Sequence, residues 1–183
     1  MRKGALIIGL GILFAVSAAV AQAEAVEQTG GWFRWDPVAL AFFGAGIAAV
    51  LAGIGSSIGI GIVGGMANGA LQERPELFGR FIPLAAMPGT QGIYGIVIAV
   101  LILGRITPGM SIEAGWQLFF AGIPTGLAGL VSGIWQGKVC AGGVGLVTKD
   151  PAQFGKAIIL GVLVEFYALL GLIASILMAT RVS

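Results

Sequence analysis

Ala157-Ile158-Ile159-Leu160-Gly161-Val162-Leu163-Val164-Glu165-Phe166-Tyr167-Ala168-Leu169-Leu170-Gly171-Leu172-Ile173-Ala174-Ser175-Ile176-Leu177-Met178-Ala179 is a run of 23 residues with one charged side chain. A run of that length spans the hydrocarbon core of a bilayer as a helix. A carboxylate inside it costs several kcal/mol, on the order of 3 at the helix centre, unless it is neutral, paired or bound to a cation. Glu165 therefore marks an ion or proton site, and the fold that contains it is a bundle of membrane helices.

Composition agrees. The chain is 57% hydrophobic and 10% charged with a mean hydropathy of +1.00, more apolar surface than a 183-residue soluble globule can enclose. Ten basic residues against eight acidic ones are scattered over segment ends. Without a clustered basic face interleaved with aromatics, nucleic acid is excluded as a partner. One cysteine, Cys140, and no histidine leave neither an internal disulfide nor a Cys/His metal site, so any cation must meet oxygen.

Residues 1–23 carry Arg2-Lys3, an apolar middle from Gly4 to Val20, and Ala21-Gln22-Ala23. They read as a signal peptide, or as an extra transmembrane helix if retained. Four further helices follow from their punctuation. Asp36-Pro37 starts the first, which runs to about Leu71; the second runs from about Phe81 to Leu103 and stops before Gly104-Arg105 and Pro108-Gly109. Ser111 caps the third, with Glu113 in its first turn, and it continues to about Val147. Asp150-Pro151 with Gln153 opens the fourth, ending near Arg181. The expected organisation is a helical hairpin over 38–104 and a second over 111–181. Arg74, Arg80, Lys138, Lys149 and Lys156 lie at or near the two tight turns, against Arg34, Arg105 and Arg181 on the other side, a bias that puts both turns in the cytoplasm.

The two halves are a repeat. A shift of 76 residues lays Leu51-Ala52-Gly53 on Leu127-Ala128-Gly129, Ser56 on Ser132, Gly61 on Gly137, Pro75 on Pro151, and Phe78-Gly79-Arg80 on Phe154-Gly155-Lys156. Moving by two membrane helices keeps orientation, so the duplication is parallel. Where the second copy has Glu165, the first has Gly89, giving one carboxylate for four helices. Glycines four apart on the third helix (Gly122, Gly126, then Gly129, Gly133, Gly137) and on the first (Gly55 with Gly59, Gly61 with Gly65 and Gly69) predict close approach of these two helices as an inner wall. The second and fourth, richer in Ile, Leu, Val and Phe, form an outer, lipid-facing layer.

Helical rise then sets depth. Gln91 lies 16 residues after Pro75, Glu165 14 after Pro151, and Gln136 15 before Pro151, so all three are about 21–24 Å along their helices at 1.5 Å per residue. Thr90, Gln91 and Tyr94 share one face. Pro88 has no N–H to donate and loosens the turn, freeing a carbonyl such as that of Met87. Carboxylate, amide, hydroxyl and carbonyl oxygens can replace the water shell of a small hard cation, and one negative charge makes the occupied site neutral. A proton needs only a carboxyl; the surplus of oxygens favours sodium.

The stretches Met87-Pro88-Gly89-Thr90-Gln91-Gly92-Ile93-Tyr94-Gly95, Ser132-Gly133-Ile134-Trp135-Gln136-Gly137-Lys138-Val139 and Val164-Glu165-Phe166-Tyr167-Ala168-Leu169-Leu170-Gly171 resemble the duplicated proteolipid of V-type rotary ATPases, the four-helix c/K ring subunit with a sodium-type site. The resemblance covers about Val38 to Ala179. It implies an ion held by the side chains of Glu165, Gln91, Thr90 and Gln136 and the Met87 backbone carbonyl, with Tyr94 hydrogen-bonded to Glu165; Met87 itself departs from the leucine of the sodium-type pattern. It also implies identical copies in a ring, a stator membrane subunit bearing an arginine, central-stalk subunits, surrounding lipid and a prokaryotic inner membrane.

By that resemblance the chain is a rotor and not itself an enzyme, and no P-loop occurs in the sequence. Two other functions fit the carboxylate: the same rotor coupled to protons, and a small proton-linked secondary transporter, which would require a central solute cavity.

Overall fold

The computed structural model describes residues 35–182, so the segment 1–23 lies outside the described residues. The fold is all-α, with no strand among the described residues. Helix α1 (Pro37–Glu73) is followed by a 3₁₀ turn (Pro75–Leu77), α2 (Phe78–Ala86), a second 3₁₀ turn (Met87–Gly89) and α3 (Thr90–Leu103). Helix α4 (Ile112–Lys149), a 3₁₀ turn (Pro151–Gln153) and α5 (Phe154–Thr180) complete it. Four stretches are long and apolar enough to cross a membrane: Pro37–Glu73, Pro75–Leu103, Ile112–Lys149 and Pro151–Thr180.

The helix starts use the expected chemistry. Asp36 Oδ1 accepts from the Ala39 N–H at 2.9 Å and Ser111 Oγ from the Ala114 N–H at 3.2 Å, each satisfying an otherwise orphaned donor of a first turn. Asp150 accepts from the Gln153 amide at 2.7 Å and the Ala152 N–H at 3.0 Å. Those bonds, the Gln153 amide above all, hold its carboxyl below the ordinary aspartate value.

The second span departs from expectation. In place of one helix from about Phe81, it begins at Phe78 and is broken at Met87–Gly89, because Pro88 lacks the N–H that would continue the ladder. Pro124, by contrast, is absorbed: α4 runs through it unbroken.

The first and second tight turns are tied to each other. Arg74 Nη1 donates to the Thr148 carbonyl at 3.0 Å, and the Arg80 guanidinium donates to the Pro151 carbonyl. Arg74 Nε also pairs with Glu76 at 2.6 Å.

Helix α1 packs chiefly on α4, and α5 packs on α4. The α1–α4 contact is backbone against backbone. A Cβ added to Gly122 would lie 1.9 Å from the Gly44 carbonyl oxygen, one on Gly59 would lie 2.2 Å from the Gly133 oxygen, and one on Gly137 would meet Gly59 Cα at 2.4 Å. The glycine ridge of the first helix divides, however. Gly55 and Gly59 face α4, whereas a Cβ on Gly61, Gly65 or Gly69 would meet nothing within 4 Å among the described residues. Two residues on from Gly59 is about 200° of helical rotation, which turns Gly61 to the opposite side. Nor are α1 and α4 enclosed: Phe42, Phe43, Ile58, Leu127, Val131 and Trp135 are exposed on them, as Ile93, Val100, Leu163, Phe166, Leu170 and Leu177 are on α3 and α5. Lys138, within α4, lies over the Trp135 ring at 4.1 Å, a cation–π contact.

Two apolar clusters fill the interior. One gathers Leu118, Ala121, Ile98 and Ile102, and the other Phe81, Leu84, Val144 and Val147. Between them in sequence and along α3 and α4 lie the buried amides of Gln91 and Gln136, both 0% exposed.

Because the Gly122 contact is with backbone and cannot relax by a rotamer change, Gly122→Ala should destabilise the chain by about 1–3 kcal/mol, read as loss of helicity in an SDS titration. Gly79→Ala, where a Cβ meets nothing within 4 Å, should unfold at the wild-type midpoint or above it.

Candidate functional site

Glu165 sits in the middle of α5, half-buried, and three donors converge on it. Thr90 Oγ1, the first residue of α3, lies 2.6 Å from Oε1; Tyr94 OH, one turn further along the same face, donates to Oε1 at 2.7 Å; Gln136 Nε2, from α4, donates to Oε2 at 2.7 Å. Thr90, Tyr94 and Gln136 therefore reach one carboxylate from two helices. Gln91 is one step removed: its Nε2 donates to Gln136 Oε1 at 2.5 Å, with no direct bond to Glu165.

Gln136 is the hub. Both N–H groups of its amide are used, one on Glu165 and one on the Gly161 carbonyl at 3.1 Å, and its oxygen accepts from Gln91. A buried side-chain amide with all three of these bonds made is fixed in orientation. Gly161 lies one turn before Glu165 and has no space for a side chain, since a Cβ there would meet Met87 Cε at 2.9 Å and Cys140 Sγ at 3.0 Å.

The Met87 carbonyl is the point where the sequence expectation needs correction. It is not left free by Pro88, because it accepts the Thr90 backbone N–H, and Thr90 Oγ1 lies 3.0 Å from it as well. The Thr90 hydroxyl has one hydrogen and two acceptors in reach, so it can serve the carbonyl or the carboxylate at any moment. The break still shapes the site, by starting a fresh helix at Thr90 with its side chain aimed at α5.

One oxygen in this network has no partner. Gln91 Oε1 is buried and makes no hydrogen bond. With Glu165, Thr90 Oγ1, Gln136 Oε1 and the Met87 carbonyl, it gives the network one carboxylate and four neutral oxygens, the donor types a small hard cation takes.

Sequence reasoning passed over three supporting features. Ser56 Oγ on α1 accepts from the Gly92 N–H at 2.8 Å. Gly161 is the second acceptor of Gln136. On the side away from the tight turns, Thr125 Oγ1 donates to the Gly171 carbonyl at 3.1 Å, and the Thr125 N–H donates to Ser175 Oγ at 3.0 Å. The available signal was proline: Pro124 directly precedes Thr125 and Pro88 stands two residues before Thr90, and both threonines use their hydroxyls between helices.

Comparison with known proteins bears directly on this geometry. The family model of the ATP synthase C subunit matches twice, over residues 43–102 and 119–178, two segments that start 76 residues apart. This is the offset of the internal repeat. The chain belongs to the ATP synthase C subunit family. It is similar to the A-type ATP synthase subunit K of Methanocaldococcus jannaschii, 43% identical over 150 residues, which is 80% of this chain and 64% of that relative. It is likewise similar to the V-type sodium ATPase subunit K of Enterococcus hirae, 39% identical over 153 residues, covering 84% of this chain and 94% of the relative. The 16 kDa proteolipid of the Rattus norvegicus V-type proton ATPase is 32% identical over 149 residues, 80% and 96% of the two chains. As a family member the chain is a duplicated, four-span proteolipid of the V/A-type ATPase kind.

The two amides should be energetically coupled. A double-mutant cycle of Gln91→Leu and Gln136→Leu, followed by SDS unfolding, should return a coupling of about 0.6–1.7 kcal/mol, the range of interhelical hydrogen bonds in membranes. Additive effects would show that the amides do not act together.

Proposed function

We propose that this chain is the ion-carrying rotor ring subunit of a V-type ATPase and that it carries Na+ across the membrane by reversible binding at Glu165. The observation that carries the proposal is the combination of a carboxylate in hydrogen-bond contact with Thr90, Tyr94 and Gln136 and a buried amide oxygen in the same network, Gln91 Oε1, that has no partner. The Thr90 hydroxyl can turn its hydrogen to the Met87 carbonyl and so present its oxygen to a cation bound at the carboxylate. The unpartnered oxygen suits a cation, and a proton has no use for it. The sodium relative from Enterococcus hirae is in keeping with this reading, and the proton relatives keep the H+-coupled rotor as the alternative.

Ligands for the ion are the side chains of Glu165, Thr90, Gln91 and Gln136 with the Met87 carbonyl, and Tyr94 holds the carboxylate by its hydroxyl. One positive charge on one negative charge makes the loaded site neutral, so it can move through hydrocarbon without the penalty of an exposed ion. When the site turns to a stator subunit, an arginine there competes for the carboxylate and releases the cation. ATP hydrolysis belongs to other subunits, which act on the ring through a central stalk.

Assembly of identical copies into a ring is supported by surfaces a single chain leaves open. Gly46, Gly53, Gly61, Gly64 and Gly65 on α1 meet nothing among the described residues, and such small-residue surfaces admit close helix contact in lipid. Glu165 is only half-buried in a single copy, so a neighbouring copy closes the carboxylate off from lipid and the stator reopens it. The membrane is the cell membrane, with the Arg74–Arg80 and Lys149–Lys156 turns on the cytoplasmic side.

Carbodiimide labelling of Glu165 in the purified ring tests the proposal, because the reagent attacks the protonated carboxyl that a bound cation displaces. Sodium should protect Glu165 at a fixed mildly acidic pH where potassium does not. Protection by raised pH alone, with no sodium effect, would assign the rotor to protons. In the intact ATPase reconstituted into vesicles, Glu165→Gln should abolish ATP-driven sodium uptake while the ring still assembles; retained uptake would remove Glu165 from the role.

A further inference from the structure

Two buried oxygens in the described chain lack any hydrogen-bond partner, Gln91 Oε1 and Ser132 Oγ. Ser132 is 4% exposed and Gln91 0%. Native interiors rarely leave such groups unanswered. Both stand next to Gln136, Gln91 by a hydrogen bond and Ser132 by one turn of α4, and this asks for a common explanation.

Their placement follows from the contacts of α4. A Cβ added to Gly129 would lie 3.5 Å from Gln91 Cβ, and the far end of the Gln91 side chain bonds Gln136. Ser132 is three residues after Gly129 and four before Gln136, on the same stripe of the helix. Gln136 leans back toward the N-terminus of α4, as helical side chains do, and so toward Ser132. Along α4, Ser132 therefore lies between the two residues that the Gln91 side chain reaches, Gly129 and Gln136.

The internal repeat shows what this serine would otherwise do. Its counterpart Ser56 accepts from the Gly92 N–H at 2.8 Å, next to the Met87–Gly89 break. The residue matching Gly92 is Ala168, which lies inside the uninterrupted helix α5, where its N–H is already used within the helix. The structural employment of the first serine is therefore unavailable to the second. A serine hydroxyl also has both a hydrogen and lone pairs to offer, whereas Gln91 Oε1 can only accept.

We propose that a single buried water bridges the Ser132 hydroxyl and Gln91 Oε1 and forms the back wall of the cation site, making Ser132 a positioning residue for Gln91. The bridge occupies one lone pair of the Gln91 oxygen and holds it in place, leaving the second lone pair for an entering cation with no reorientation needed. This inference rests on the sodium reading above. Ser132 does not touch Glu165 in this arrangement and has no part in its protonation.

The test is sodium protection of Glu165 from carbodiimide in rings of wild type, Ser132→Ala and Ser132→Cys, with Ser175→Ala as a control. Ser175 is another fully buried serine on the bundle, but its oxygen serves the Thr125 N–H and not Gln91. Ser132→Ala should need about threefold to tenfold more sodium for half-protection, the equivalent of one lost hydrogen-bond bridge. Its pH profile of labelling without sodium should match the wild type. Ser132→Cys, which keeps a weak donor, should fall between the two, and Ser175→Ala should leave sodium protection unchanged. An unchanged half-protection concentration in Ser132→Ala overturns the inference, as does an equal shift in Ser175→Ala. A wild-type ring unprotected by sodium would instead remove the sodium reading, and the inference with it, whatever the variants do.

Discussion

A carboxylate held among apolar helices must have its charge answered within hydrogen-bond distance, and much of this molecule follows from that requirement. Water cannot supply the answer at such depth, so the neighbouring helices do. Three side chains hydrogen-bond with Glu165, and the one from α4, Gln136, is itself fastened to the Gly161 carbonyl and to Gln91. Each bond constrains the next, so the site is a chain of dependencies running from α3 through α4 to α5. Position along each helix matters more than any local motif, because a shift of one residue would turn a donor to another face.

That depth register can hold only if the helices cannot slide, and the glycine contact between α1 and α4 provides the restraint. With carbonyl oxygens of one helix set against the α-carbons of the other, the pair has little freedom to ride past one another. The apolar clusters around Leu118 and Ile102 on one side and Phe81 and Val144 on the other shield the polar layer between them from bulk water. A low local dielectric makes the hydrogen bonds stronger and makes any unanswered oxygen more conspicuous.

Much of this was legible in the sequence, and the reasons are physical. Apolar run length and caps at Asp36, Ser111 and Asp150 report helix starts directly, since both depend on local chemistry. The common depth of Gln91, Gln136 and Glu165 came from counting residues, because helical rise is fixed. What counting could not give was rotation. Gly61, Gly65 and Gly69 match the spacing of a packing ridge, yet they sit on the far side of α1 from Gly55 and Gly59, and only the three-dimensional pairing distinguishes the two faces. Gln91 was expected at the depth of Glu165, and counting along a helix could not show that its link to the carboxylate runs through the Gln136 amide. Nor could the sequence say which of two prolines interrupts a helix: at Pro124 the Thr125 N–H finds Ser175 and α4 stays unbroken, whereas at Pro88 the ladder shifts to a 3₁₀ turn. The outcome depends on partners across the interface.

The ties of Arg74 to the Thr148 carbonyl and of Arg80 to the Pro151 carbonyl have a mechanical consequence. They join the turn of the first hairpin to that of the second by bonds from guanidinium groups, which are charge-assisted and directional. A sideways push delivered to either turn is therefore shared by both hairpins at once and does not pry them apart. The duplicated chain responds to load as one lever, with its handle at the stitched end and the carboxylate about halfway along the shaft.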